Sequence, residues 1–121
     1  MGHLHVMYLE GEKIYACSKC HTHLSEANEI ISKDFQGGHG RAYLFNKVYK
    51  ELVYIIFRIN IKQGPLEDRP MITGIHTVCD IYCLFCQALV GWKYERAYES
   101  RERYKENKYI LERPCIKKLG W

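Results

Sequence analysis

At 121 residues the chain is the size of one domain, long enough to bury roughly two thirds of its unfolded surface and so to build a core. Its formal charge of +4 comes from basic residues interleaved with acidic ones, a pattern that disfavours a dedicated nucleic-acid binder. No apolar run approaches the ~18 residues that span a bilayer.

The N-terminus, Met1-Gly2-His3-Leu4-His5-Val6, lacks the basic and long apolar regions of a secretory signal. Val6 stands where myristoylation requires Ser or Thr. An intracellular chain is expected, in the nucleus, the cytoplasm or both. Residues 4–9 and 13–17 read as short strands around Glu10-Gly11-Glu12, a hairpin signal. Cys17-Ser18-Lys19-Cys20 follows, a C-x-x-C knuckle whose two sulfurs converge on one point. Residues 21–35 are mostly polar and predict loop with a helical turn. Gln36-Gly37-Gly38-His39-Gly40 lacks the ending of a phosphate-binding loop and predicts a tight turn with positive φ.

Residues 41–48 predict a strand. Residues 50–59 are β-branched and aromatic with almost no alternation, which suits a strand buried on both faces or an unprotected edge. Gly64-Pro65 and Arg69-Pro70 predict a loop over 62–70. Residues 71–78 predict a strand, and Asp80-Ile81-Tyr82 leads into a second knuckle, Cys83-Leu84-Phe85-Cys86. Strands are expected over 89–98 and 109–112. The charged stretch 99–107 between them reads as a solvated turn or short helix. There is no internal repeat apart from the knuckles, and the class is mainly antiparallel β.

Two knuckles supply four thiolates, the complement of a closed tetrahedral Zn²⁺ site. The expected ligands of one structural zinc are Cys17, Cys20, Cys83 and Cys86. Residues 21 to 82 lie between the pairs, too many for a zinc ribbon, so the ion would join two ends of a domain. Two disulfides are the first alternative, and a reducing compartment argues against them. A thioredoxin-like redox pair is the second, but neither knuckle opens a helix after a strand. Cys79 and Cys115 are spare. Cys79 lies close enough to Cys83 in sequence to compete as a ligand, and His21 or His23 is placed to replace a thiolate.

The set Cys17-x-x-Cys20, Gln36-Gly37-x-x-Gly40-Arg41-Ala42-Tyr43-Leu44-Phe45-Asn46, Thr73-Gly74-x-His76, Asp80-Ile81-Tyr82-Cys83-x-x-Cys86 and Gly91-Trp92-Lys93-Tyr94-Glu95 resembles the Yippee-like proteins. The resemblance spans nearly the whole chain. It implies a single zinc-binding domain over 1–121, with a core at about 13–113. It also implies a β-tent, two antiparallel sheets pinned by a Cys₄ zinc site, the architecture of the cereblon ligand-binding domain, Mis18 and methionine sulfoxide reductase B. Against the family pattern, residues 50–59 are extra: a genuine insertion that lengthens a hairpin, or a gene-model artefact. Asn60 fits the family's turn beyond them.

What the resemblance implies functionally is a non-catalytic interaction module, an adaptor in cell division or protein turnover. Its protein partner is not specified. In the cereblon domain an aromatic cage lies beside the second knuckle. Trp92 and Tyr94 match two of its positions, Ile72 and Val78 fall at the other two, and His76 and Tyr82 are expected to line the same cleft. Such a wall suits a small planar or cationic ligand. A methionine-sulfoxide-reductase-like enzyme is an alternative: Arg113-Pro114-Cys115-Ile116-Lys117 offers its Arg and Cys but lacks its Asn, and Pro114 removes a strand hydrogen bond. A weak nucleic-acid binder, using Lys93, Arg96, Arg101, Arg103 and Lys105, is the other, and neighbouring glutamates cancel most of that field.

Overall fold

The computed structural model describes residues 13–48 and 60–121, with a strand pair at Leu52–Val53 and Ile56–Phe57 between them. The strand expected at 4–9 lies outside the described residues. Among the described residues eleven strands run in chain order: β1 (Ile14–Cys17), β2 (His23–Glu26), β3 (Ile30–Gly37), β4 (Gly40–Phe45), β5 (Leu52–Val53), β6 (Ile56–Phe57), β7 (Ile61–Met71), β8 (Gly74–Cys83), β9 (Leu89–Ala97), β10 (Tyr109–Glu112) and β11 (Ile116–Leu119). Short 3-10 turns occupy Ala27–Glu29, Ser100–Lys105 and Arg113–Cys115.

Two antiparallel sheets carry the fold. The smaller has the order β11-β1-β2, the larger β3-β4-β10-β9-β8-β7, and β5-β6 pair only with each other. The expected mainly-β, two-sheet architecture is what forms. Within the extra segment the described residues form a strand pair, Leu52 opposite Phe57 and Val53 opposite Ile56; whether 50–59 is buried on both faces or an open edge lies outside the described residues.

The large sheet is apolar on both faces, because successive side chains of a strand point to opposite sides. Tyr43, Phe45, Ile81, Cys83, Tyr109 and Leu111 join Tyr15, Cys17, Leu24 and Ile116 of the small sheet in one core. Tyr15 is fully buried there and meets Tyr43, Phe45 and Trp121 edge-on at ring distances of 6.1, 5.6 and 5.2 Å. Burying each such large apolar side chain is worth roughly 1.5–3 kcal/mol. On the other face Ala42, Leu44, Val78, Trp92, Tyr94 and Ile110 form a second cluster, with Phe35 and Met71 against it. Strands β9 and β10 press together at Gly91, where an added Cβ would stand 1.8 Å from the Ile110 carbonyl oxygen.

Three expectations need correction. Residues 21–35 are not mainly loop: β2 and most of β3 lie there, around the helical turn at Ala27–Glu29. Residues 62–70 are not a loop but the body of β7. Its prolines are tolerated because β7 is an edge strand with a register shift between Gln63 and Leu66, beside Gly64-Pro65. Strand β11 had no counterpart in the sequence reading. The turn at 36–40 does form, with Gly40 at φ +109°.

Candidate metal centre and aromatic cleft

The two knuckles are built alike. In the first, the Cys17 N–H donates to the Thr22 carbonyl at 2.8 Å and the Cys17 carbonyl accepts from His21 N–H at 2.9 Å. In the second, Cys83 N–H donates to Ala88 and the Cys83 carbonyl accepts from Gln87 N–H, both at 2.8 Å. His21 and Gln87 share positive φ values of 66° and 65°. An outside carbonyl holds each turn as well: Ser18 N–H donates to Cys115, and Leu84 N–H to Asn60, both at 3.0 Å. Cys115 immediately precedes β11, which pairs with β1; Asn60 immediately precedes β7, which pairs with β8. The knuckles are therefore the tips of two equivalent three-stranded meanders, β11-β1-β2 and β7-β8-β9. Asn60 also ties one to the other, its side-chain amide donating to the His23 carbonyl at 2.7 Å.

The four sulfurs of Cys17, Cys20, Cys83 and Cys86 lie within 4.8 Å of one another. The closest pairs cross between knuckles, Cys17–Cys86 at 3.5 Å and Cys20–Cys83 at 3.4 Å. A tetrahedral zinc with Zn–S bonds of about 2.3 Å needs sulfurs about 3.8 Å apart, whereas a disulfide needs about 2.05 Å. The donor set fits a metal ion and does not fit disulfides. Among the described residues the cluster takes in neither histidine and neither spare cysteine. His21 Nε2 instead faces Lys117 Nζ at 3.3 Å.

The four thiols are not equivalent. Burial pushes Cys17 up to about 12 and also raises Cys83. Burial acts the same way on the exposed Cys20, but hydrogen bonds from Thr22, whose hydroxyl lies 3.0 Å away, and from the neighbouring thiols outweigh it and bring it to about 7. Two thiolates in a buried setting are costly unless a cation compensates them. A divalent ion held by the set would do so, and its role there would be structural.

On the second apolar face, a cavity of about 870 Å³ opens between the β3–β4 and β7–β8 tips and the Ser100–Lys105 turn. Trp92, Tyr94, Phe35, Tyr104, Met71 and Lys105 are among its walls. Trp92 and Tyr94 meet edge-on at 6.2 Å. The Trp92 indole N–H is close enough to hold Tyr94 down, yet burial dominates and raises Tyr94 to about 12. That indole N–H makes no hydrogen bond of ordinary geometry among the described residues.

The expected cleft residues divide. His76 lies behind Tyr94, at a ring distance of 5.2 Å. Its Nδ1 is 3.0 Å from the Gly74 carbonyl, which places the proton there, and burial lowers its pKa. Tyr82 lines a different cavity, of about 410 Å³, with Lys62 and Gln87. Ile72 is fully exposed at the cleft's rim, and Val78 is buried beneath it.

Two further residues are buried, and Lys105 differs from its sequence reading. Lys105, placed in a solvated stretch, is only 4% exposed, and no local pattern signals this, because Phe35 and Tyr94 reach it from β3 and β9. Glu112 is also buried, and one of its oxygens accepts from both the N–H and the Nδ1 of His39, at 2.7 and 2.9 Å. Cys115 stands in a 3-10 turn beside His39 and Lys19, its thiol pushed up by burial and by Glu112. A raised thiol is a poor nucleophile.

Residues 13–120 match the family model described as Yippee zinc-binding/DNA-binding/Mis18, centromere assembly. The chain is 51% identical over 120 residues to a yippee-like protein of Arabidopsis thaliana, covering 99% of this chain and 84% of that one. It is 50% identical over 113 residues to one from Solanum tuberosum, covering 93% and 79%. Human protein yippee-like 4 is 46% identical over 110 residues, covering 90% and 79%. The crystal structure of a Mis18 'Yippee-like' domain superposes with a TM-score of 0.65 at 9% identity, covering 88% of this chain and 94% of that one. At that identity the superposition speaks for the fold alone.

Proposed function

The chain belongs to the Yippee/Mis18 family, and from that premise we propose that it is a non-catalytic interaction module whose two sheets are held by one structural zinc. The observation that carries this reading is the four-sulfur cluster drawn from two knuckles with residues 21–82 between them. Four thiolates leave a zinc ion no open position for substrate. The partner is a protein, met through the cleft around Trp92 and Tyr94, with His76 behind it; Tyr82 lines a separate cavity. The setting is the nucleus or cytoplasm, in cell division or protein turnover; the family model's mention of centromere assembly supports the first.

Nucleic acid is the weaker reading, although the family model also names DNA binding. Of the five cations in question, Lys93 pairs with Glu95 at 3.3 Å and Lys105 with Glu102 at 2.8 Å. Arg96 lies over the Tyr98 ring at 5.0 Å.

Metal analysis of the purified protein tests the scaffold. One zinc per chain is expected, lost in both Cys20→Ser and Cys83→Ser. A chain that folds equally well with no metal would defeat this reading. Trp92→Ala then tests the cleft: it should keep the zinc and lose the partner.

A further inference from the structure

We infer that Lys105 is the resident cation of the aromatic cleft, so that the cleft excludes cationic ligands and accepts a neutral planar group. The inference rests on the cleft reading above and narrows it.

An aromatic wall attracts a cation through the negative faces of its rings. Here the protein has already placed one. The Lys105 ammonium lies 5.3 Å from the Tyr94 centroid, 5.4 Å from Phe35 and 6.0 Å from Tyr104. It is 2.8 Å from a Glu102 carboxylate oxygen and donates to the Thr73 hydroxyl at 3.2 Å. With three N–H donors in all, two go to these oxygens and the third is left to the rings. A second cation would meet the repulsion of the first across a desolvated wall. An anion would meet an ammonium already neutralised by Glu102. At the rim, Asp34 and Arg69 carry opposite charges. No net charge of either sign is on offer. What remains is ring surface, that of Tyr104, Phe35 and the small exposed part of Trp92, in a cavity of about 870 Å³, a volume typical of small-ligand sites. A flat uncharged ring on a protein partner's side chain fits that surface, and phenol stands in for it below.

The test uses the full-length, zinc-loaded protein and the indole N–H resonances of its two tryptophans. Trp121, whose N–H donates to the Ile14 carbonyl on the small sheet, is the internal control. Phenol is the neutral planar probe and tetramethylammonium the cationic one, titrated over the same millimolar range. Phenol is expected to shift the Trp92 resonance saturably and to bind at least about tenfold tighter than tetramethylammonium. In Lys105→Met the order should reverse, with tetramethylammonium gaining at least about tenfold as the rings and Glu102 become available. Saturable binding of tetramethylammonium to the wild type, as tight as phenol, would overturn the inference and leave the cleft standing as a binding site. Shifts from neither probe would overturn both. Should Lys105→Met fail to fold, the wild-type titrations decide alone.

Discussion

The two meanders that carry the knuckles share one backbone device and differ in everything behind it. β7, β8 and β9 are 11, 10 and 9 residues long and continue into β10, β4 and β3. β11, β1 and β2 have four residues each and continue into nothing. Strands that short cannot bury enough apolar surface to stand alone. The small arm is held by the shared core, by Asn60 and by the sulfur cluster. The large arm has its own second apolar cluster on the opposite face. An identical turn can thus be an ornament on one arm and an anchor on the other.

Removing the metal should separate the arms most sharply. Structural zinc contributes roughly 10–16 kcal/mol of apparent binding energy that appears as folding energy. On chelation, amide protection in β1, β2 and β11 should fall at least about 100-fold further than in β8, β9 and β10, read by hydrogen exchange. Equal losses on both arms would erase the distinction.

Asn60→Ala cuts the tether between arms without touching a sulfur. The His23 carbonyl would lose this bond, at a net cost of about 0.5–1.5 kcal/mol. Zinc content should stay at one per chain while the small arm again exchanges faster. Denaturant unfolding of the zinc-loaded variant measures the cost.

Acidity gives the smallest effect and the clearest sign. In metal-free protein, burial raises Cys17 from 9.0 to about 12. Its contribution to stability is complete below the unfolded value and disappears as the pH climbs through about 12. The exposed Cys20, lowered to about 7, adds a solvent-screened contribution of opposite sign, lost as the pH falls through 7. The loaded protein behaves otherwise, because its ligands must be thiolates and acid competes with the ion. Melting temperatures of the loaded form should fall on acidification, and those of the stripped form should fall on strong alkalinisation.

The four-sulfur cluster was legible in the sequence because C-x-x-C is local chemistry: two residues bring a pair of sulfurs together whatever surrounds them. The large-sheet strands β4, β8, β9 and β10 were legible too, being long or apolar. β2 and β3 were hidden because both are edge strands rich in polar residues: those of β3 are exposed or half-buried, and the buried Ser25 of β2 is satisfied by the Lys47 carbonyl. β7 was hidden by Pro65 and Pro70, which forbid a central strand but not an outer one. Lys105 could not be found at all. Its neighbour Phe35 lies far away in sequence and Tyr94 on the preceding strand, and a lysine beside glutamates reads as solvated until the rings are in place.

Those same prolines have a consequence for how this molecule meets others. The large sheet ends in β7 on one side and β3 on the other. β7 lacks backbone donors at Pro65 and Pro70, and both borders are broken by register shifts. Neither offers the continuous ladder that a strand from solution would need in order to zip on. Company met along the large sheet must be chosen by side chains, and crowding of copies into fibres is discouraged at both of its margins.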